Sequence, residues 1–487
     1  MVFQDLTGLS GYLNGEWQQS GQRFNTVLPH DNRIQSVSYG NATRQDLEVA
    51  IQAAKKAQST WCRKSVNERA HVLLNIADFI HIHRQKLALS IATEVGKPLT
   101  EALQEVSASE EFFRYFSGWA NWGQHGSIRK TINGRVLTEK APHGVVGVIT
   151  PWNYPISNAC QKIAAALITG NSLIWRPSEK SPGSALLLTH AFCESGLPTG
   201  TINTLIESGS VVSKALVQSP DISAISFTGS TTVGLEIAGA AARRGAAVQC
   251  EMGGKNTVVV LKDAELDLAV EKVTVGAFGF SGQRCTAVSR VLLDRAIADA
   301  FCEKLIAATL HLTFSEPTVE GSSLGPVITA EHMNGLISQI KAATTRGAQL
   351  ITGGQQITAS TLVNGNYIEP TVITLQDLQD PLWNEELFGP VLTLFIIDEL
   401  DEAIEIINSS RYGLASAIFT EDNQSIWQFI DQVETGIIKI NQATPGLNPY
   451  VPVQGWKDSG FGQGELAEEG IDFFTRKKSS YLSDKNH

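Results

Sequence analysis

Residues 145–176 read VVGVITPWNYPISNACQKIAAALITGNSLIWR. Two short apolar runs, at 145–150 and 171–175, flank a stretch in which apolar residues recur at helical spacing over 156–169. A parallel strand covered on both faces needs a near-continuous apolar run. Its link to the next parallel strand is long and usually helical. The rhythm then repeats, with apolar runs at 202–205 and 222–227 and helical patterns at 184–195 and 211–218. This alternation predicts a doubly wound α/β sheet.

Working outward, a second α/β series follows from Asn256. Strands are expected at 258–261, 289–293, 392–397, 414–420 and 436–440. Helices are expected at 266–280, 297–309, 330–345, 400–409 and 424–433. Upstream, residues 41–118 are largely helical, opening on the capped start Ala42-Thr43-Arg44-Gln45-Asp46-Leu47. Between the helices and the first sheet lies a polar stretch, 122–142, with a hairpin-like turn at Asn133-Gly134. No internal repeat or low-complexity linker interrupts the chain. The boundary between the two α/β series falls near Gly253-Gly254, and clefts between domains are where sites usually form.

Bulk properties narrow the function. The chain has 487 residues, 43% hydrophobic and 18% charged, enough for a large core and more than one domain. A net charge of -11 argues against nucleic acid as a partner. Cys62, Cys160, Cys193, Cys250, Cys285 and Cys302 are scattered singly, which fits reduced thiols and no metal site. The start, Met1-Val2-Phe3-Gln4-Asp5, shows no secretory signal, and no apolar run approaches the ~18 residues of a membrane span. A cytoplasmic protein without a membrane partner is expected.

Cys285, in Phe280-Ser281-Gly282-Gln283-Arg284-Cys285-Thr286, is the cysteine framed by residues suited to chemistry. A thiol is a strong nucleophile only as thiolate and needs a base or a positive environment. Glu251 stands thirty-four positions upstream, at the glycine-rich turn Glu251-Met252-Gly253-Gly254-Lys255-Asn256. Asn153, in Pro151-Trp152-Asn153-Tyr154-Pro155, sits between a strand and a helix, where its amide can donate to a developing oxyanion or cap the helix. Residues 226–234, ending on Phe227-Thr228-Gly229-Ser230-Thr231-Thr232-Val233-Gly234, close a strand and open a helix, a place where dinucleotide phosphates approach backbone. Glu179, in Arg176-Pro177-Ser178-Glu179, follows another strand and can accept from a ribose hydroxyl. Each of these also has an ordinary structural reading: a small buried thiol, a cap, a turn, a solvated glutamate.

Together, in this order, these motifs and Glu386-Leu387-Phe388-Gly389-Pro390-Val391 resemble the aldehyde dehydrogenase superfamily. The resemblance runs from Tyr12-Leu13-Asn14-Gly15-Glu16-Trp17 to Phe473-Phe474-Thr475. It implies a Rossmann-like cofactor domain over 1–121 and 142–253, and a catalytic domain over 254–460. A small β oligomerisation unit would combine 122–141 with 461–487 in a homodimer or homotetramer. Cys285 would form a thiohemiacetal and then a thioester, with Asn153 and the Cys285 N–H on the oxyanion and Glu251 activating water. Cofactor contacts would come from Thr150, Trp152, Arg176, Ser178, Glu179, Gly209, Phe227, Gly229, Ser230, Gly234, Gly253, Glu386 and Phe388. Lys162 would assist cofactor or oxyanion positioning.

In such proteins a glutamate at the position of Glu179 favours NAD, whereas Arg176 keeps NADP use open. Tyr154, Gln161, Arg284 and Thr286 are the candidate substrate residues. With Ser157, Gly279 and the departure Pro452-Val453-Gln454-Gly455, they suggest a roomy, polar tunnel with a guanidinium next to the nucleophile. That suits a semialdehyde, a hydroxyaldehyde or a glyceraldehyde 3-phosphate type of substrate, unless Arg284 pairs with a carboxylate of the fold. The alternatives are a general aliphatic or aromatic aldehyde dehydrogenase, a coenzyme A-acylating variant, and a non-catalytic binding protein.

Overall fold

The computed structural model describes residues 5–122, 126–132, 134–359 and 361–483. Met1 to Gln4, Asn133 of the expected turn, and parts of the expected oligomerisation unit (123–125 and 484–487) lie outside the described residues.

The stretch that decided the fold forms the centre of an eight-stranded sheet. Val145–Ile149 pairs in parallel with Ser172–Arg176 on one side and Ala224–Thr228 on the other. Ile202–Leu205 and Ala247–Glu251 extend it in parallel outward. In chain order the five parallel strands are arranged 3-2-1-4-5, so the order reverses between Val145–Ile149 and Ala224–Thr228. Antiparallel strands close both edges: Leu9–Leu13 and Glu16–Gln19 at one, Gly460–Phe461 at the other. Val146, Val148, Leu173 and Trp175 are fully buried, and full burial of an aliphatic side chain contributes about 1.5–3 kcal/mol. That burial on both faces is why these strands are largely apolar.

The second sheet has seven strands. Thr371–Thr374, Val391–Ile397, Val288–Asp294, Asn256–Val260, Ala415–Phe419 and Ile437–Ile440 are parallel, with Gln349–Thr352 antiparallel at the edge. A third, three-stranded antiparallel sheet joins Ser127–Thr131, Gly134–Pro142 and Thr475–Ser483. Four helices, Arg44–Trp61, Val66–Ile82, Arg84–Val95 and Leu99–Ser117, occupy the expected helical region. The first opens on a capping box in which Thr43 and Asp46 satisfy each other's backbone N–H. Among the described residues no helix is long and apolar enough to cross a membrane.

Candidate active site

The nucleophile loop begins earlier than periodicity predicts. The helix expected to reach Phe280 ends at Phe278, because Phe280, Ser281 and Gly282 take φ of 48°, 52° and 69°. Left-handed backbone at two non-glycine residues costs about 1–3 kcal/mol each and persists only when surroundings hold it. Here Glu101 accepts from the Phe280 N–H at 2.9 Å, and Ser281 Oγ donates to the Gly325 carbonyl at 2.5 Å. A Cβ on Gly282 would stand 2.2 Å from the Gly389 carbonyl oxygen, so only glycine fits. Three residues on, Cys285 has its carbonyl held by Asn256 Nδ2 at 2.8 Å.

Cys285 lines a cavity of about 240 Å³ with Trp152, Asn153, Gly229, Ser230, Gly253, Glu386 and Phe388. This cavity lies at the carboxyl ends of Val145–Ile149 and Ala224–Thr228, where the strand order reverses and α/β sheets bind ligands. Asn153 follows the first of these strands, and Gly229 and Ser230 follow the second, opening the helix Thr231–Arg243. Backbone there approaches other groups closely. A Cβ on Gly253 would lie 2.1 Å from Glu386 Oε2, and one on Gly234 would lie 2.4 Å from Met252 Sδ. Phe388 meets Trp152 edge-on at 5.7 Å. A narrow, glycine-lined crevice ending at a thiol fits the nicotinamide half of a dinucleotide.

Electrostatics around the thiol are acidic. Burial, then Glu386 and Glu251, push Cys285 up to about 12. Glu251, buried at the end of Ala247–Glu251, is raised well above the carboxylate range by burial and by Glu465. Its Oε1 accepts only a long bond, 3.4 Å, from the Gly455 N–H. Glu386 is pushed up to about 7, chiefly by burial, while the Gly254 N–H (3.1 Å) and Lys255 oppose the shift.

Two sequence expectations are corrected here. Lys162 does not stand at an oxyanion position: its ammonium contacts Glu465 Oε1. Gln161 Nε2 donates to the other oxygen of Glu465 at 2.6 Å, so its amide is engaged inside the protein and not free for substrate. Both lie on the helix Ser157–Ile168, whose buried face carries them toward the chain's C-terminal segment.

Asn153 is buried, and its Nδ2 donates to the Gln283 carbonyl at 3.1 Å, tying it to the nucleophile loop. Around the next residues the expected free guanidinium is also corrected. Arg284 Nη2 is paired with Glu101 at 2.5 Å, although its buried Nε meets no acceptor among the described residues. The ring of Tyr154 lies under Lys97 Nζ at 3.6 Å and edge-on to Phe280. Thr286 is buried, and its carbonyl accepts from Thr444 at 2.7 Å.

The remaining cofactor candidates divide into two groups. Arg176, Ser178, Glu179 and Gly209 gather beyond Ser172–Arg176, away from the thiol. Arg176 donates to the carbonyls of Glu207 (3.1 Å) and Gly209 (2.8 Å) and to Glu179 Oε2 at 3.3 Å. Ser178 Oγ accepts from the Lys180 N–H at 3.2 Å. Thr150 and Phe227 are buried beneath the crevice, with Thr150 Oγ1 accepting from Trp175 Nε1 at 2.9 Å. Sequence reading missed Glu465, Glu101, Glu105, Lys97, Gln283 and Glu207. Lys97 in Gly96-Lys97-Pro98 was the one with a local signal, a lysine directly after a helix whose last apolar residues, Ile91, Ala92 and Val95, are buried.

The chain matches the model of the Aldehyde dehydrogenase family over residues 17–480. It is 35% identical to an alpha-ketoglutaric semialdehyde dehydrogenase of Bacillus subtilis (strain 168), covering 97% of each chain. It is 33% identical to malonate-semialdehyde dehydrogenase 2 of Geobacillus kaustophilus (strain HTA426), covering 96% of this chain and 97% of that one. The fold superposes with a TM-score of 0.94 on betaine aldehyde dehydrogenase from Staphylococcus aureus in complex with NAD+. That pair is 32% identical and covers 97% and 94% of the two chains. The chain belongs to the aldehyde dehydrogenase family.

Proposed function

We propose that this member of the aldehyde dehydrogenase family oxidises a polar or anionic aldehyde to the free acid with NAD as hydride acceptor. The observation that carries the substrate class is the chain's likeness to semialdehyde dehydrogenases. Arg284, next to the nucleophile in the chain, is tied to Glu101 through Nη2 and does not carry this reading. Two similar proteins are named for semialdehydes that carry a carboxylate, which supports the same reading.

Glu251 takes the Cys285 thiol proton and passes it to solvent, the thiolate attacks the aldehyde carbon, and the oxyanion is received by Asn153 Nδ2 and the Cys285 N–H. Asn153 exchanges its bond to the Gln283 carbonyl for the oxyanion. When bound, NAD supplies the hydride acceptor. Glu251 then takes a proton from the water that hydrolyses the thioester, and its raised pKa makes it a stronger base than an ordinary carboxylate. That base favours water over coenzyme A as acyl acceptor. Glu386 holds the nicotinamide ribose, Phe388 and Trp152 flank the nicotinamide, and Glu179 receives the adenosine ribose. Arg176 is already tied to Glu179 and faces Glu207 at 3.6 Å, so a 2′-phosphate would enter beside carboxylates. This favours NAD over NADP.

We further read residues 1–121 with 142–253 as the cofactor unit, its sheet closed at one edge by Gly460–Phe461, and 254–460 as the catalytic unit. The exposed edge Ser127–Thr131 of the three-stranded sheet belongs to a dimer or tetramer contact. The six free cysteines fit the cytoplasm. An aldehyde panel measured with NAD and with NADP tests the function. Carboxylated, phosphorylated or hydroxylated aldehydes should exceed plain alkanals and benzaldehyde at least tenfold in kcat/KM, about 1.4 kcal/mol. The opposite order would show a general aliphatic or aromatic enzyme.

A further inference from the structure

The helix Leu99–Ser117 carries two carboxylates one turn apart, and each grips a different half of the site. Glu101 takes the nucleophile loop: Oε1 accepts from the Phe280 N–H at 2.9 Å and Oε2 from Arg284 Nη2 at 2.5 Å. Glu105 takes the loop that bears Asn153. Its Oε1 accepts from the N–H groups of Ile156 (3.0 Å) and Ser157 (3.2 Å), and its Oε2 from Lys97 Nζ at 2.5 Å. Lys97 completes the grip by donating to the Asn153 carbonyl at 2.7 Å while sitting over the Tyr154 ring. Lys97 and Glu105 have no exposed side-chain surface.

A fully buried ion pair is a poor device for stability, because desolvation offsets its attraction. Apolar replacements of similar volume are often as stable. What such a pair does supply is geometry: three backbone groups across 153–157 are held by two side chains. We propose that Lys97, Glu101 and Glu105 are positioning residues that set the separation between the Cys285 thiol and the Asn153 amide. The inference rests on the reading of Asn153 as the oxyanion donor. Catalytic groups displaced by about 1 Å can lose about 100-fold in rate, so the arrangement has leverage far exceeding its contribution to stability.

The test is a double-mutant cycle between the charge-free replacement K97M/E105L and N153A. K97M/E105L should fold, with the melting temperature and the KM for NAD nearly unchanged. Its kcat/KM for aldehyde should fall roughly 10–100-fold. In an N153A background the same replacement should change the rate less than about threefold, because the donor it positions is gone. Full additivity, or an unchanged kcat/KM in K97M/E105L, overturns the proposal. If N153A alone has no effect, the reading of Asn153 fails instead. Should the double replacement not fold, E101Q tests the other grip. It should lower kcat/KM severalfold with NAD KM unchanged and be non-additive with N153A; wild-type rates in E101Q also overturn the proposal.

Discussion

Charge is arranged oppositely on the two sides of Cys285. On one side stand Glu386, which lines the crevice, and Glu251, with Glu465 acting on Glu251 and Lys162 paired with Glu465. Toward the helix Leu99–Ser117, Lys97 meets Glu105 and Arg284 meets Glu101. Crowded carboxylates without direct counterions are driven toward their protonated forms, so that side is built to exchange protons. Matched pairs fix one another's orientation, so the other side is built to hold still. One thiol sits where the two meet, and each side supplies what the other lacks.

The largest way to break this comparison is to remove the thiol. C285A should lose aldehyde oxidation by at least about 10³-fold, while cofactor binding, measured by fluorescence titration, persists. Activity surviving in C285A would mean that neither side serves that residue.

E251Q separates the two sides next. Thioester hydrolysis should slow by roughly 10²–10⁴-fold, seen as a burst of NADH followed by a slow steady state. Thiol alkylation supplies a second readout. The Cys285 pKa is raised, so its thiolate forms only at high pH, and reaction with iodoacetamide in cofactor-free enzyme should still be rising above pH 9. Removing a neighbouring negative charge favours the thiolate, so E251Q and E386Q should move that rise to lower pH. The K97M/E105L replacement, on the paired side, should leave it in place. An equal shift from both sides would erase the distinction drawn here.

The smallest effect concerns Glu386. With its pKa near 7, the carboxyl is largely protonated below neutrality and ionised above it. Its ionised form is the acceptor for a ribose hydroxyl, so NAD should bind severalfold more tightly as pH rises from 6 to 8. Calorimetric titration across that interval checks it, and E386Q should flatten the dependence.

Much of this was legible along the chain. The run 145–176 specified two strands and their crossover because burial on both faces demands uninterrupted apolar residues. Ala247–Glu251 escaped notice because it reads Ala-Val-Gln-Cys-Glu. Buried Gln249 is tolerated there only because Ser226 and the Gly464 carbonyl satisfy its amide. The helix end at Phe278 was likewise hidden. Nothing local stops the apolar pattern, and the left-handed turn is held by Glu101 and Gly325, far away in sequence.

The sequence by itself determined where the candidate residues stand: Asn153, Glu251 and Cys285 at strand ends and turns, with glycines beside them. Residue type and spacing suffice for that, because strands and glycines act locally. Only the tertiary structure decided which charges meet. Glu465 was brought to Lys162 and Gln161 across some three hundred residues, and Glu101 to Arg284 across 183. An ion pair depends on distance in space and on exclusion of water, and neither can be read from position along a chain.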